Sequence, residues 1–160
     1  MELLGSQVAL AGMEILKRFN MIAEYKTISS ANFLNFCKDN IPIVSDLELK
    51  LKRYDRSGLE IEYFPAQDEV GMTDQFWENK ILLLADMVSY GCILCRYPAA
   101  IPSVTLNWNG NFFGDKRVSN IRALGKIREY GDNLANASVD IINFNNNIIA
   151  KVTCNYMIRP

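Results

Sequence analysis

Ile81-Leu82-Leu83-Leu84-Ala85-Asp86-Met87-Val88-Ser89-Tyr90-Gly91 is the middle of a stretch, Gln75 to about Cys95, in which apolar residues surround a helix nearly completely. A helix with that pattern belongs inside a fold rather than on it. Its apolar run, Ile81 to Ala85, is interrupted by Asp86 and is far shorter than the roughly 20 residues that cross a bilayer, so a membrane span is excluded.

Strands flank this helix on both sides. Before it, Leu47, Leu49 and Leu51 alternate with Glu48, Lys50 and Lys52; after Ser57-Gly58 the alternation resumes with Leu59, Ile61 and Tyr63 against Glu60 and Glu62. That pattern predicts a hairpin with one wet face. A polar loop, Pro65 to Asp74, leads into the helix. After Pro98 and Pro102 come four strand candidates. The first carries Val104, Leu106 and Trp108 on one face and Thr105, Asn107 and Asn109 on the other. The next, about Lys116 to Glu129, has Ile121, Ala123 and Ile127 as inward residues and Gly125 as a bulge or close-approach point. Ala135, Ala137, Val139 and Ile141 alternate into a turn at Asn143 to Asn147, and Ile148, Ala150, Val152, Cys154, Tyr156 and Ile158 make the last strand. At the N-terminus, Val8, Leu10, Met13, Ile15, Leu16 and Phe19 recur at helical spacing between Gln7 and Ala23, and Ser29 or Ser30 caps a second short helix reaching Lys38. Both stop before Pro42. The expected division is a helical extension over 1–42 and a sheet-plus-helix domain over 43–160. The order of elements predicts an α+β fold, an antiparallel sheet wrapped on a central apolar helix.

Composition narrows the chemistry. The 160 residues are 49% hydrophobic and 22% charged, the makeup of one compact domain with a sizeable core. Seventeen Lys and Arg against eighteen Asp and Glu leave no positive field for a polyphosphate backbone, so nucleic acid is a poor partner. There is no histidine, which excludes Ser-His and Cys-His nucleophile pairs, His-ligated metals and an imidazole base. Four cysteines, Cys37, Cys92, Cys95 and Cys154, lie in apolar stretches and read as buried free thiols of a reducing compartment. Cys92-x-x-Cys95 has a redox or zinc spacing, but no second pair completes a site, and no cofactor is implied. The expected location is intracellular, cytoplasmic or mitochondrial.

Residue by residue, the central stretch resembles the core helix of the PaaI-like acyl-CoA thioesterases of the hotdog-fold superfamily, in which a Leu-Ala-Asp or similar triplet carries the catalytic carboxylate. Asp86 takes that place. Ser103-Val104-Thr105-Leu106-Asn107-Trp108 is similar to the family's next strand, and Ser103 matches a hydroxyl that helps position the attacking water in some members. Gly114-Asp115 and Gly131 resemble the family's following turns, and the similarity runs from about Leu47 to Ile158. The resemblance implies a hotdog fold, a curved antiparallel sheet around a long helix with extra N-terminal helices here. It also implies a homodimer or homotetramer, and an acyl-CoA or other acyl thioester as substrate. Where the family has His-Gly-Gly at the helix start, this chain has Trp77-Glu78-Asn79, and the arginines that commonly follow the Gly131-like position are replaced by Asp132 and Asn133.

Asp86 is the expected catalytic carboxylate, with Ser103 as its helper. Its helical neighbours Leu82, Leu83, Ser89 and Tyr90 include no cation, so it is expected to be solvated in a cleft, bonded to donors such as Tyr90 or Ser103, or shifted toward the neutral form. Trp77, Glu78, Asn79 and Tyr90 are the expected substrate-binding residues, with Trp77 and Trp108 as walls of an acyl tunnel or as packed aromatics. The basic stretch Lys116, Arg117, Arg122, Lys126 and Arg128 is either a CoA-nucleotide grip, led by Lys116 and Arg117, or a solvated strand face. Two function classes stand side by side at this level: a thioester hydrolase, and a catalytically inactive hotdog subunit of a larger assembly with the N-terminal helices as docking elements.

Overall fold

The computed structural model describes residues 27–97, 103–114, 120–129 and 133–158. The expected helix between Gln7 and Ala23 lies outside them. In chain order the elements are α1 (Ser30–Asn40), a short 3-10 turn (Pro42–Val44), β1 (Glu48–Asp55), β2 (Gly58–Phe64), α2 (Asp74–Leu94), β3 (Ser103–Phe112), β4 (Ile121–Glu129), β5 (Leu134–Asn143) and β6 (Ile148–Ile158). The strands form one six-stranded sheet in the order β1-β2-β4-β5-β6-β3, with every neighbouring pair antiparallel. β1 and β3 are therefore its edges, and the chain reaches β3 only after passing through α2.

The alternation in the sequence sets the inner face. Ile121, Ala123 and Ile127 of β4, Ala135, Ala137, Val139 and Ile141 of β5, and Ala150, Val152, Cys154, Tyr156 and Ile158 of β6 are all buried against α2. Burying this one face of the sheet is the main source of stability. The first residue of the β6 pattern is displaced: Ile148 is exposed and Ile149 is buried in its stead, because the pairing of β5 with β6 slips by one residue at Ile141 and Ile142.

Helix α2 begins with Thr73 as N-cap, whose hydroxyl accepts from the Phe76 N–H at 3.3 Å, and Asp74 stands in the first turn where the helix dipole favours it. Trp77, Ile81, Leu84, Ala85 and Val88 form the stripe that faces the sheet, and from Met87 to Leu94 only Tyr90 escapes full burial. The all-round apolar pattern thus describes the C-terminal half, while the N-terminal half keeps a wet side. Two glycines let the helix approach closely. A Cβ on Gly91 would stand 2.2 Å from Leu59 Cδ2 and 2.7 Å from Phe33 Cζ of α1; one on Gly125 would stand 2.6 Å from both Val88 Cγ1 and Cys92 Sγ. Gly125 is the close-approach point, with no bulge, since its strand pairs in unbroken register on both sides.

The first strand after α2 departs from its expected faces. Thr105 pairs with Tyr156, yet Asn107 pairs with the next residue back, Asn155, so Leu106 is an extra residue in β3. One inserted residue reverses the alternation beyond it. Val104 and Trp108, expected to share a face, lie on opposite faces: Val104 pairs with Met157 on the outer one, while Ser103, Thr105, Trp108 and Gly110 pair with the inward Ile158, Tyr156, Cys154 and Val152. Outside, Asn136 Nδ2 donates to Asn155 Oδ1 (2.9 Å) and Asn155 Nδ2 to Asn107 Oδ1 (2.7 Å), an amide ladder across three strands.

Candidate active site

Asp86 stands on the wet side of α2, one turn beyond Leu82 and Leu83, where the helix leans over β6 and the edge strand β3. Leu82, Leu83 and Asp86 from the helix, Thr105 and Trp108 from β3, and Val152 and Cys154 from β6 line a cleft of about 410 Å³. The bulge at Leu106 is what brings both Thr105 and Trp108 to this cleft. Its walls are mainly apolar, and a single carboxylate opens into it.

The Asp86 side chain is exposed in the protomer, but the loss of water against these walls raises its pKa above the ordinary aspartate value. Among the described residues no cation pairs with it and no donor bonds it. Beneath the cleft, burial raises the pKa of Cys154 and pushes the Tyr156 phenol far up, and the Asp86 charge adds to both shifts. Among the described residues no helix is long and apolar enough to cross a membrane.

Other expected site residues are placed elsewhere. Ser103 is half-buried at the first position of β3, opposite Ile158, and is not part of the cleft lining. Trp77 is only 1% exposed; it packs in the core edge-on to Phe76, 5.7 Å between ring centroids, and leaves the cleft open. Glu78 is half-buried and Asn79 exposed. Both lie past the first turn of α2, where the Trp77 N–H already bonds the Thr73 carbonyl at 3.2 Å, so their own N–H groups belong to the helix ladder. Tyr90 is half-buried away from the cleft; burial raises its pKa first and Cys37 of α1 second. Lys116 and Arg117 lie outside the described residues. Arg122 projects from the outer face of β4, bonded to Glu60 at 3.0 Å and to Asn146, and Lys126 and Arg128 are exposed on the same face, opposite the cleft. Leu82, Leu83, Thr105, Val152 and Cys154 line the cleft without being among the expected site residues, and Thr105 escapes pattern reading because the shift that turns it and Trp108 to one face has no signature in the residues themselves.

The loop ahead of α2 is held by a different set of charges. Glu69 accepts from Lys80 Nζ (2.6 Å), from the Ala66 N–H (3.0 Å) and from the Tyr63 hydroxyl, and Lys80 also lies 5.5 Å above the Tyr63 ring. Burial works to raise the Glu69 pKa; the bonds from Lys80, Tyr63 and Ala66 outweigh it and bring it below the ordinary value. All four cysteines are buried and unbridged.

The fold recurs among solved structures. A thioesterase of Haemophilus influenzae matches 84% of this chain and 92% of its own, with a TM-score of 0.68 and 19% identity. The E. coli PaaI protein of the phenylacetic acid degradation operon matches 81% and 92%, at a TM-score of 0.65 and 13% identity. The chain has the hotdog fold. A thioesterase protein of Streptococcus pneumoniae solved with coenzyme A has the same fold, at a TM-score of 0.62, 14% identity, and coverage of 80% of this chain and 99% of that one. No protein-family model matches the chain, and no curated relative matches it.

Proposed function

We propose that the protein hydrolyses an acyl thioester, with Asp86 as the base that activates water. The observation that carries this reading is an unpaired carboxylate open to an apolar cleft beside a hydroxyl residue, Thr105. Leu82, Leu83, Trp108 and Val152 accept the acyl group. Asp86 takes a proton from water as the water attacks the thioester carbonyl; the C–S bond then breaks and the thiolate leaves, taking up a proton. Thr105 fills the helper place that the sequence assigned to Ser103, since it shares the cleft with the carboxylate. Acyl-CoA is the proposed carrier, supported by the neighbour solved with coenzyme A.

We further propose a homodimer formed along β3. This edge strand exposes Val104 (44%), Leu106 (49%) and Trp108 (55%), and a long apolar edge invites pairing with a second chain. Such pairing would roof the cleft at Trp108.

The alternative, an inactive subunit, is favoured by one feature. The Glu78 and Asn79 N–H groups, at the place of the family's glycine pair, are spent inside α2. Hydrolysis of a panel of aliphatic and aryl acyl-CoAs by the parent and by Asp86→Asn decides between them. Turnover that falls by two or more orders of magnitude in the variant supports the hydrolase; turnover equal in both removes the role of Asp86, and none on any substrate favours the subunit.

A further inference from the structure

Two hydroxyls are enclosed directly beneath the cleft without a hydrogen-bond partner: Ser89 Oγ and Tyr156 Oη. Ser89 is one turn beyond Asp86 on α2 and fully buried, and Tyr156, 2% exposed, rises from β6 at the register position of Thr105. Ser89 and Thr105 both approach the phenol, and Ser89 and Tyr156 both approach the Cys154 thiol, but none closes a geometrically sound bond on Ser89 or Tyr156. An enclosed donor left unpaired is costly, and native structures rarely keep two side by side without a use for them. Among the described residues, Asp86 is the carboxylate whose charge bears on Tyr156 and on the neighbouring Cys154.

We infer that Ser89 and Tyr156 are positioning residues for Asp86, a pair of donors that the carboxylate engages, directly or through one water, when substrate covers the cleft. This rests on the reading of Asp86 as the base. The logic is one of supply. A bound acyl group displaces water from the carboxylate, and no cation or β3 charge among the described residues replaces it. The two hydroxyls then hold one carboxylate oxygen from the floor and leave the other toward the attacking water. Among the described residues, the titratable groups facing Asp86 are Cys154 and Tyr156, both from β6, and burial keeps both neutral, so they can donate but do not add charge.

The experiment is a carboxyl-carbon NMR titration of Asp86 in the parent, Tyr156→Phe and Ser89→Ala, each saturated with a non-hydrolysable acyl-CoA thioether that covers the cleft, alongside pH profiles of kcat and thermal melts. Loss of a donor to the ionised form raises the Asp86 pKa, by about half a unit or more in either variant, and moves the acid limb of kcat upward with little change in KM. An unchanged Asp86 titration in both folded variants overturns the proposal, and a raised Tm in Tyr156→Phe would then identify the hydroxyl as an idle buried group. Ser89→Ala keeps the test open should the Phe variant misfold. Because the titration needs no turnover, it separates failure of this inference from failure of the hydrolase reading, which Asp86→Asn tests.

Discussion

Val88 of α2 rests on the bare backbone of Gly125 in β4, so close that a Cβ at the glycine would meet Val88 Cγ1 at 2.6 Å. Gly125→Ala is expected to destabilise the fold by about 1–3 kcal/mol, the usual cost of overpacking a filled core. Val88→Ala added to it should restore part of the loss. Urea melts of the two single variants and the double variant measure the coupling, and strict additivity would show that the helix and strand do not bear on each other there.

Asp86 carries opposite consequences for activity and stability. Burial holds its pKa above the ordinary aspartate value, so the folded protein binds its proton more tightly than the unfolded chain does. Stability therefore falls as pH rises from the unfolded pKa to the raised folded one, and the deficit persists above it. Asp86→Asn should raise Tm at pH 7 but not well below the ordinary carboxylate range, while abolishing turnover. In the parent, kcat/KM should climb with pH through the raised pKa. A variant melting at the parent's temperature at pH 7 would contradict the desolvation account.

Glu69 works in the other direction. Its folded pKa is lowered, so the stability it lends is present above its unfolded pKa and is lost as pH falls through the folded value. Glu69→Gln should melt earlier at pH 7, and the gap to the parent should close as the pH falls below the lowered folded value. Melts at a series of pH values check this, and a gap independent of pH would refute it.

The β3 edge makes a prediction about mass. Light scattering of the parent should give the mass of two chains, and Leu106→Lys should give one chain with unchanged far-UV circular dichroism. A dimer that survives the lysine would place the contact elsewhere.

How far the sequence reaches depends on whether a feature repeats. The alternations in β4 and β5 and the stripe of α2 are sums over many residues, and they carry the architecture even where single positions are ambiguous. The bulge at Leu106 is one residue with no partner in any pattern, and it decides that Thr105, not Val104, turns inward. Trp77 is legible as a large aromatic on a helix, but only the path of α2 shows that it points to the core and not toward Asp86. Asp86 itself stands out from sequence because a charge in an apolar helix breaks a rule; Tyr156 does not, since an inward tyrosine in a strand is ordinary until its hydroxyl is found without a partner.

Burial raises the thiol pKa values of Cys37 and Cys92 to about 12 and that of Cys95 to about 11, so at neutral pH almost none of each exists as the nucleophilic thiolate. The native protein should ignore an alkylating dye until α1 or α2 lifts from the sheet. The pace of labelling then becomes a clock for that breathing, and the helix carrying Asp86 brings its own stopwatch in Cys92 and Cys95.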